Sequence, residues 1–155
     1  MHPKSENYTE MAWSAIISAQ AHAQEKKHQY IETEHLLLAL IEQNDLAIRI
    51  LEKAGGSIKA MDSSLDKFIK EQPKMITTPD SLFLGQNLNN TLTKAESIKK
   101  SLGDSYISIE HLLLALNDDN RICNKLFKEQ NLDKNTISSS ITQIRGKQKV
   151  TDQNP

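Results

Sequence analysis

The sequence is poor in the residues that build cross-linked, nucleotide-cradling or membrane-spanning proteins. Its single cysteine, Cys123, excludes an internal disulfide and any multi-cysteine zinc site, and suits a reducing compartment. Glycine occurs only at 55, 56, 85, 103 and 146, and GGSIKAMD lacks the later glycine and the Lys-Ser/Thr pair of a phosphate loop. No nucleotide site and no cofactor is therefore expected. No apolar run approaches the roughly 20 residues of a membrane span. The opening MHPKSENYTE is polar, so neither a secretory signal nor membrane insertion is expected. Neither sign of charge dominates: 19 basic against 20 acidic residues leave −1, with no whole-chain field to attract nucleic acid or an anionic membrane. Arg145, Lys147 and Lys149 form the one basic cluster, too small for firm phosphate binding and expected as part of a solvated tail.

What is present is a repeat. YIETEHLLLAL at residues 30–40 recurs as YISIEHLLLAL at 106–116, with nine of eleven residues identical at an offset of 106 − 30 = 76. The correspondence continues without a gap: Ala12, Ile16 and Ala19 fall opposite Leu88, Leu92 and Ala95, and Ala47, Ile50 and Leu51 opposite Cys123, Leu126 and Phe127. Further on, Met61, Leu65 and Phe68 fall opposite Ile137, Ile141 and Ile144. Apolar positions agree while exposed ones diverge, as expected of two copies of one fold with different surfaces. The expected organisation is one domain over 1–146, made of repeat one (9–72), a connecting segment (73–84) and repeat two (85–146). The polar residues 147–155 are expected as a linker.

Within each copy the apolar spacing is helical rather than alternating. Thr9 is a candidate N-cap for a helix carrying Ala12, Ile16, Ala19 and Ala23. The second helix, 33–43, is apolar nearly all round and belongs at the centre of its repeat. A short helix over 45–53 stops at Gly55-Gly56, and a fourth spans 57–71. The second copy repeats this at 86–100, 108–117, 120–130 and 133–146. The fold class is all-α: eight helices as two pseudo-symmetric sets of four. PKMITTPDS at 73–81 has two prolines and no period, and is expected as an extended crossing segment.

Few residues suggest chemistry. Glu34-His35 and Glu110-His111 place a carboxylate beside an imidazole twice, yet adjacent helical residues point about 100° apart and no second histidine follows at i+4. No catalytic and no metal residue is assigned; the carboxylates are read as serving helix starts. Cys123 aligns with Ala47 and is read as a core thiol rather than a nucleophile. Trp13 lies one position off an apolar stripe, either half-buried or an exposed anchor.

The paired EHLLLAL segments resemble the N-terminal domains of Clp/Hsp100 chaperones, and the ending RGKQKVTDQNP is similar to the segment leading ClpB chains into their first ATPase module. QPKMITTPDSLFLGQNL is similar to the cyanobacterial and plastid forms. Thr33 departs from the family pattern, which commonly has proline there. The resemblance implies a binding domain that captures unfolded or aggregated polypeptide for an ATP-driven hexameric pore. It implies cytoplasmic or plastid-stromal location, contact with an Hsp70-type chaperone only through the full-length parent, a monomeric fragment and a homohexameric parent. It also implies substrate-binding positions: polar Thr9, Asp104 and Glu110, and a groove of Leu88, Leu92, Ile98 and Ile109. The competing assignment of Leu88, Leu92 and Ile98 is to the core. Lys94 and His111 are polar where a groove is better served by apolar side chains. Ile109 stands where repeat one has Thr33, so it is expected to be exposed beside Glu110, as an apolar spot with a polar rim. Two other classes stay open: docking of a folded adaptor, as in the proteolytic Clp branches, and an enzyme built on the Glu/His pairs.

Overall fold

The structure, a computed structural model, describes residues 3–155; Met1 and His2, the start of the expected domain, lie outside the described residues. Eight α-helices form: α1 Glu10–Glu25, α2 Thr33–Glu42, α3 Leu46–Lys53, α4 Ile58–Lys70, α5 Gln86–Ser101, α6 Ile109–Leu116, α7 Cys123–Glu129 and α8 Lys134–Arg145. The offset of the sequence repeat is also that of the helices, since α5 and α1 start 86 − 10 = 76 residues apart, and α8 and α4 134 − 58 = 76.

Local chemistry sets most helix starts. The Thr9 hydroxyl accepts from the Ala12 N–H at 3.2 Å, and the Asp133 carboxylate from Thr136 at 2.8 Å. At α2 and α6 a reciprocal cap forms in which the histidine at the third helical position takes the N–H of the cap residue: Glu32 to His35 Nδ1 at 2.9 Å, Ser108 to His111 Nδ1 at 2.8 Å. α7 begins at Cys123 rather than at the expected Asn120. The buried Asp119 carboxylate collects the N–H groups of Arg121, Ile122 and Cys123, so the chain turns there before it winds.

The core runs through both copies. Leu36, Leu37 and Leu40 of α2 and Leu112, Leu113 and Leu116 of α6 are fully buried, each contributing roughly 1.5–3 kcal/mol. Ala12, Ala15, Ala19 and Ala23 give α1 a face without bulk, on which α2 lies closely. The copies are interlocked, α3 packing on α8 and α4 on α7. Gly56 lies so close to Leu132 of the other copy that a Cβ there would collide with its side chain.

Two short extended contacts escape any periodicity. β1 (Tyr30–Ile31) and β2 (Phe83–Leu84) pair in parallel, with Ile31 opposite Leu84. Tyr8 bridges to Ile107 in the same sense. These pairs are repeat equivalents, since 84 − 8 and 107 − 31 both equal 76. The strand ahead of each copy's first helix is therefore exchanged and lies on the turn of the other copy. The crossing segment is mainly exposed and is held by Met75 N–H to the Lys27 carbonyl at 2.8 Å and by Gln29 Nε2 to the Ser81 carbonyl at 2.7 Å.

This interlocking makes a prediction. Residues 1–72 produced alone leave the buried faces of α3 and α4 without their partners and are expected to show no cooperative thermal transition by far-UV circular dichroism, whereas 1–155 shows one. A sharp transition in the half-length fragment contradicts the exchange.

Candidate functional site

The family-derived site residues divide between the interior and one groove. The Glu110, His111 and Asp104 carboxylate–imidazole cluster is internal. His111 Nε2 bonds Asp104 Oδ2 at 2.7 Å; Asp104 Oδ1 accepts from the Arg145 guanidinium and, at 2.9 Å, from the Val150 N–H; and Arg145 reaches Glu110 at 3.3 Å. Burial opposes ionisation of Asp104, but the Val150 N–H, Arg145 and His111 outweigh it and hold the carboxyl below the usual carboxylate range. Burial likewise pushes His111 below an ordinary histidine despite its bond to Asp104.

Ser108 Oγ lies 3.0 Å from His111 Nδ1, which completes a Ser-His-Asp chain. That nitrogen's lone pair already receives the Ser108 N–H, and the buried hydroxyl accepts from the helix backbone. The hydroxyl thus has no free base and no access to substrate, and the three residues act as a cap and a brace. In repeat one the Glu34 carboxylate is clamped by Arg121 through two bonds of 2.8 and 3.0 Å. The Thr33 hydroxyl donates to Asp119 at 2.8 Å. His28 stands where repeat two has Asp104, and its Nδ1 meets His35 Nε2 at 2.9 Å. Burial, with His28 beside it, brings His35 down to about 3. Burial also raises the thiol of fully buried Cys123. Among the described residues no group of three or more His, Cys, Asp and Glu is placed to hold a metal ion.

Ile109 is a correction. It is 1% exposed and belongs to the core, with Leu88 beside it in the same cluster. Thr33 was no guide to its burial, because Thr33 is itself buried and satisfied by Asp119, so either side chain suits an interior position. Asp104 and Glu110 are buried and ion-paired and form no exposed rim, Thr9 is buried as a cap, and Ile98 is half-buried against the core. The free tail is corrected as well. Ser105 N–H reaches the Val150 carbonyl at 2.7 Å, Glu10 N–H reaches the Gln153 carbonyl at 2.7 Å, and Lys149 Nζ donates to the Leu102 carbonyl at 2.7 Å. Val150 is buried. A polar composition concealed this docking, which depends on backbone groups.

Leu92, 6% exposed and a member of the core cluster as the competing assignment has it, is also the one nominated apolar residue that lines an open groove. The groove has a volume of about 420 Å³, and Tyr8, Leu92 and Ile107, themselves buried, lie beneath it as an apolar floor. Asn89, Thr93 and Glu96 from α5 stand along one side, with Pro3, Lys4 and Asn7 along the other. The exchanged bridge makes this wall: Thr9 N–H bonds the Ile107 carbonyl at 2.9 Å, and Ile107 N–H the Asn7 carbonyl at 2.9 Å. Gln153 Nε2 secures the same wall by donating to the Tyr8 carbonyl at 3.1 Å. Burial and Glu96 together push the Tyr8 phenol up to about 12, so it remains a neutral wall. Tyr8 and Ile107 carried no sequence signal except their repeat equivalents, Leu84 and Ile31.

A helical domain of two exchanged repeats with such a groove is matched by the Clp repeat (R) N-terminal domain family over residues 7–153. The chain belongs to that family. It is 50% identical over its full length to the ClpB chaperone of Prochlorococcus marinus, and 44% identical over 97% of its length to the chloroplastic ClpB3 chaperone of Arabidopsis thaliana. It spans only 18% and 16% of those two proteins. The Hsp104 N-terminal domain of Candida albicans shares the fold, with a TM-score of 0.84 over 95% of this chain and 97% of that one at 24% identity. The chain is thus a Clp N-domain, similar along its length to the corresponding part of ClpB chaperones.

The buried network makes two predictions. Arg145→Met leaves Asp104 and Glu110 buried with a lost cation and is expected to destabilise by about 3 kcal/mol in urea unfolding; a change within error would show the network to be dispensable. For pH, the unfolded chain takes a proton on His35 near the ordinary 6.5, whereas the folded domain refuses it until about 3. Unfolding therefore gains protons as pH falls, and stability is lost from 6.5 towards 3, at roughly 1 kcal/mol per pH unit. His28 and His111, also lowered, act in the same sense. His35→Gln is expected to flatten this slope between pH 7 and 5; an unchanged slope contradicts the assignment.

Proposed function

We propose that this domain captures unfolded or aggregated polypeptide in the groove of Tyr8, Leu92 and Ile107 and passes it to the ATP-driven modules of a ClpB-type parent. The groove itself carries this reading: it is apolar at its floor and polar at its rim, as suits apolar side chains and backbone presented without fixed register. Ligands that must be released to a pore call for affinities of about micromolar to millimolar, or roughly 4–8 kcal/mol. Of the family-derived positions we retain Leu92 as a contact. Thr9 and Leu88 set the head of α5 and the exchanged bridge from behind, and Asp104, Ile109 and Glu110 hold the turn that leads into Ile107.

The parent is proposed to be a homohexameric ATPase that disaggregates clients with an Hsp70-type partner. Bacterial cytoplasm or plastid stroma is the proposed location, in keeping with cyanobacterial and chloroplastic relatives. The fragment is proposed to be monomeric and to do the binding step alone. The second reading, docking of a folded adaptor, is favoured by two charged residues of opposite sign on the rim, Lys4 and Glu96, which would suit one complementary partner.

Fluorescence anisotropy with reduced, carboxymethylated α-lactalbumin separates these readings. Thr93→Glu, at an exposed rim position, and Leu92→Ser are each expected to weaken binding at least fivefold, Thr93→Glu without a change in thermal midpoint. Undiminished binding by both variants contradicts the groove.

A further inference from the structure

The repeat that builds the groove builds its equivalent on the opposite copy, and there the side chains are more apolar. Subtracting 76 from the α5 positions, or adding it to those of the leading strand, replaces Asn89 with Trp13, Thr93 with Ile17 and Asn7 with Phe83. The remaining floor positions become Ile16, Ile31 and Leu84. α1 lies against β1 as this equivalence requires. Ile17 is 49% exposed, Phe83 57% and its ring neighbour Tyr30 56%, the two rings being 6.2 Å apart. These are three of the six large apolar side chains most exposed among the described residues; Thr93 and Asn7 share the groove, so the repeat puts their equivalents Ile17 and Phe83 on one face, with Tyr30 beside Phe83. Single exposed apolar residues need no explanation; a face of them marks contact with something.

Two observations say what that contact is. The face has the backbone scaffold of the groove, so it offers the same two walls, one helix side and one exchanged strand. It is also continuous with the groove: the half-buried Trp13 ring packs against the ring of Tyr8, with 5.5 Å between centroids, and Tyr8 is the groove's own wall. At the rim positions Lys4 and Glu96 are replaced by Asp80 and Gln20, so one acidic group remains and no cation stands there for a phosphate-bearing ligand.

We infer that the Trp13, Ile17, Ile31 and Phe83 face is a second client surface, taking a second apolar segment of the same unfolded polypeptide. The inference rests on the groove reading above. Two weak surfaces on one rigid domain turn the second contact into an intramolecular one, so a long client is held more tightly than either surface alone holds a short segment, and each segment still leaves quickly. That combination suits a domain that must retain an aggregate while surrendering one strand at a time.

The test uses isothermal titration of the 155-residue chain with two probes, a ten-residue Leu/Phe/Lys peptide and reduced, carboxymethylated α-lactalbumin. The peptide is expected to bind two sites on the wild-type chain and one on Ile17→Glu, and the long client to bind Ile17→Glu about tenfold more weakly. Phe83→Glu, at a strand position more than half exposed, serves as an independent second variant with the same expected loss. One peptide site on the wild type, with both variants holding the long client as tightly as it does, overturns the inference. In that case Thr93→Glu still weakens binding if the groove reading is right, and fails to do so if that reading is wrong too. Concentration-dependent dimerisation in sedimentation, abolished by Ile17→Glu, would assign the face to a second copy of the chain and also overturn it.

Discussion

Two backbone hydrogen bonds hold the domain in its particular shape: Thr9 N–H to the Ile107 carbonyl, and Gly85 N–H to the Ile31 carbonyl, each 2.9 Å. They are one bond written twice, 76 residues apart, and each joins the head of one copy's first helix to the turn of the other. At Gly85 the head is also capped from across the repeat, since the Glu32 carboxylate accepts from Leu88 N–H at 2.9 Å and from Asn87 at 3.1 Å. A Cβ at residue 85 would overlap that carboxylate, which is why the position needs glycine although its φ of −67° is ordinary. The groove wall exists because of this exchange: without the Thr9–Ile107 bond, Tyr8 has no reason to lie beside Leu92.

Around that frame the copies have diverged in how they satisfy the same buried positions. Position 104 holds an ionised carboxylate and recruits Arg145, His111 and the Val150 N–H. Its equivalent, His28, stays neutral and pairs with His35. The charged version draws residues 147–153 onto the domain, and Gln153 then ties the groove's outer wall through the Ser5, Glu6 and Tyr8 carbonyls. The residues most like a reactive centre are therefore the ones that fix Val150 and the chain around it onto the domain. Removing one partner of such a buried pair is far costlier than the pair is stabilising, so these residues are constrained by the fold itself.

The architecture was legible in the sequence because it depends on local patterns. EHLLLAL twice, the alanine stripe of α1 and the cap at Thr9 are each read within a few residues of one another, and all eight helices lie where the periodicity puts them, apart from the late start of α7. The site was much less legible, because it depends on partners far along the chain. Tyr8 and Ile107 meet across 99 residues (107 − 8), and Val150 meets Asp104 across 46. The comparison of Ile109 with Thr33 failed for the same reason: the partner that lets threonine be buried, Asp119, lies 86 residues away. Leu92 was nominated where family position and apolar spacing coincide, and it lines the groove, whereas Asp104 and Glu110, nominated by family position alone, are buried and paired with Arg145.

The central claim is that the exchanged strand and α5 together form the surface a client meets. Methyl-resolved NMR on the 155-residue chain, titrated with an unfolded apolar polypeptide, observes that surface residue by residue. The account predicts that the methyls of Leu92 and Ile107 shift first and furthest, while Ile109, which does not line the groove, stays nearly still. Large shifts at Ile109 and at Val150, with Leu92 and Ile107 silent, would place the client at the Asp104 turn and contradict it.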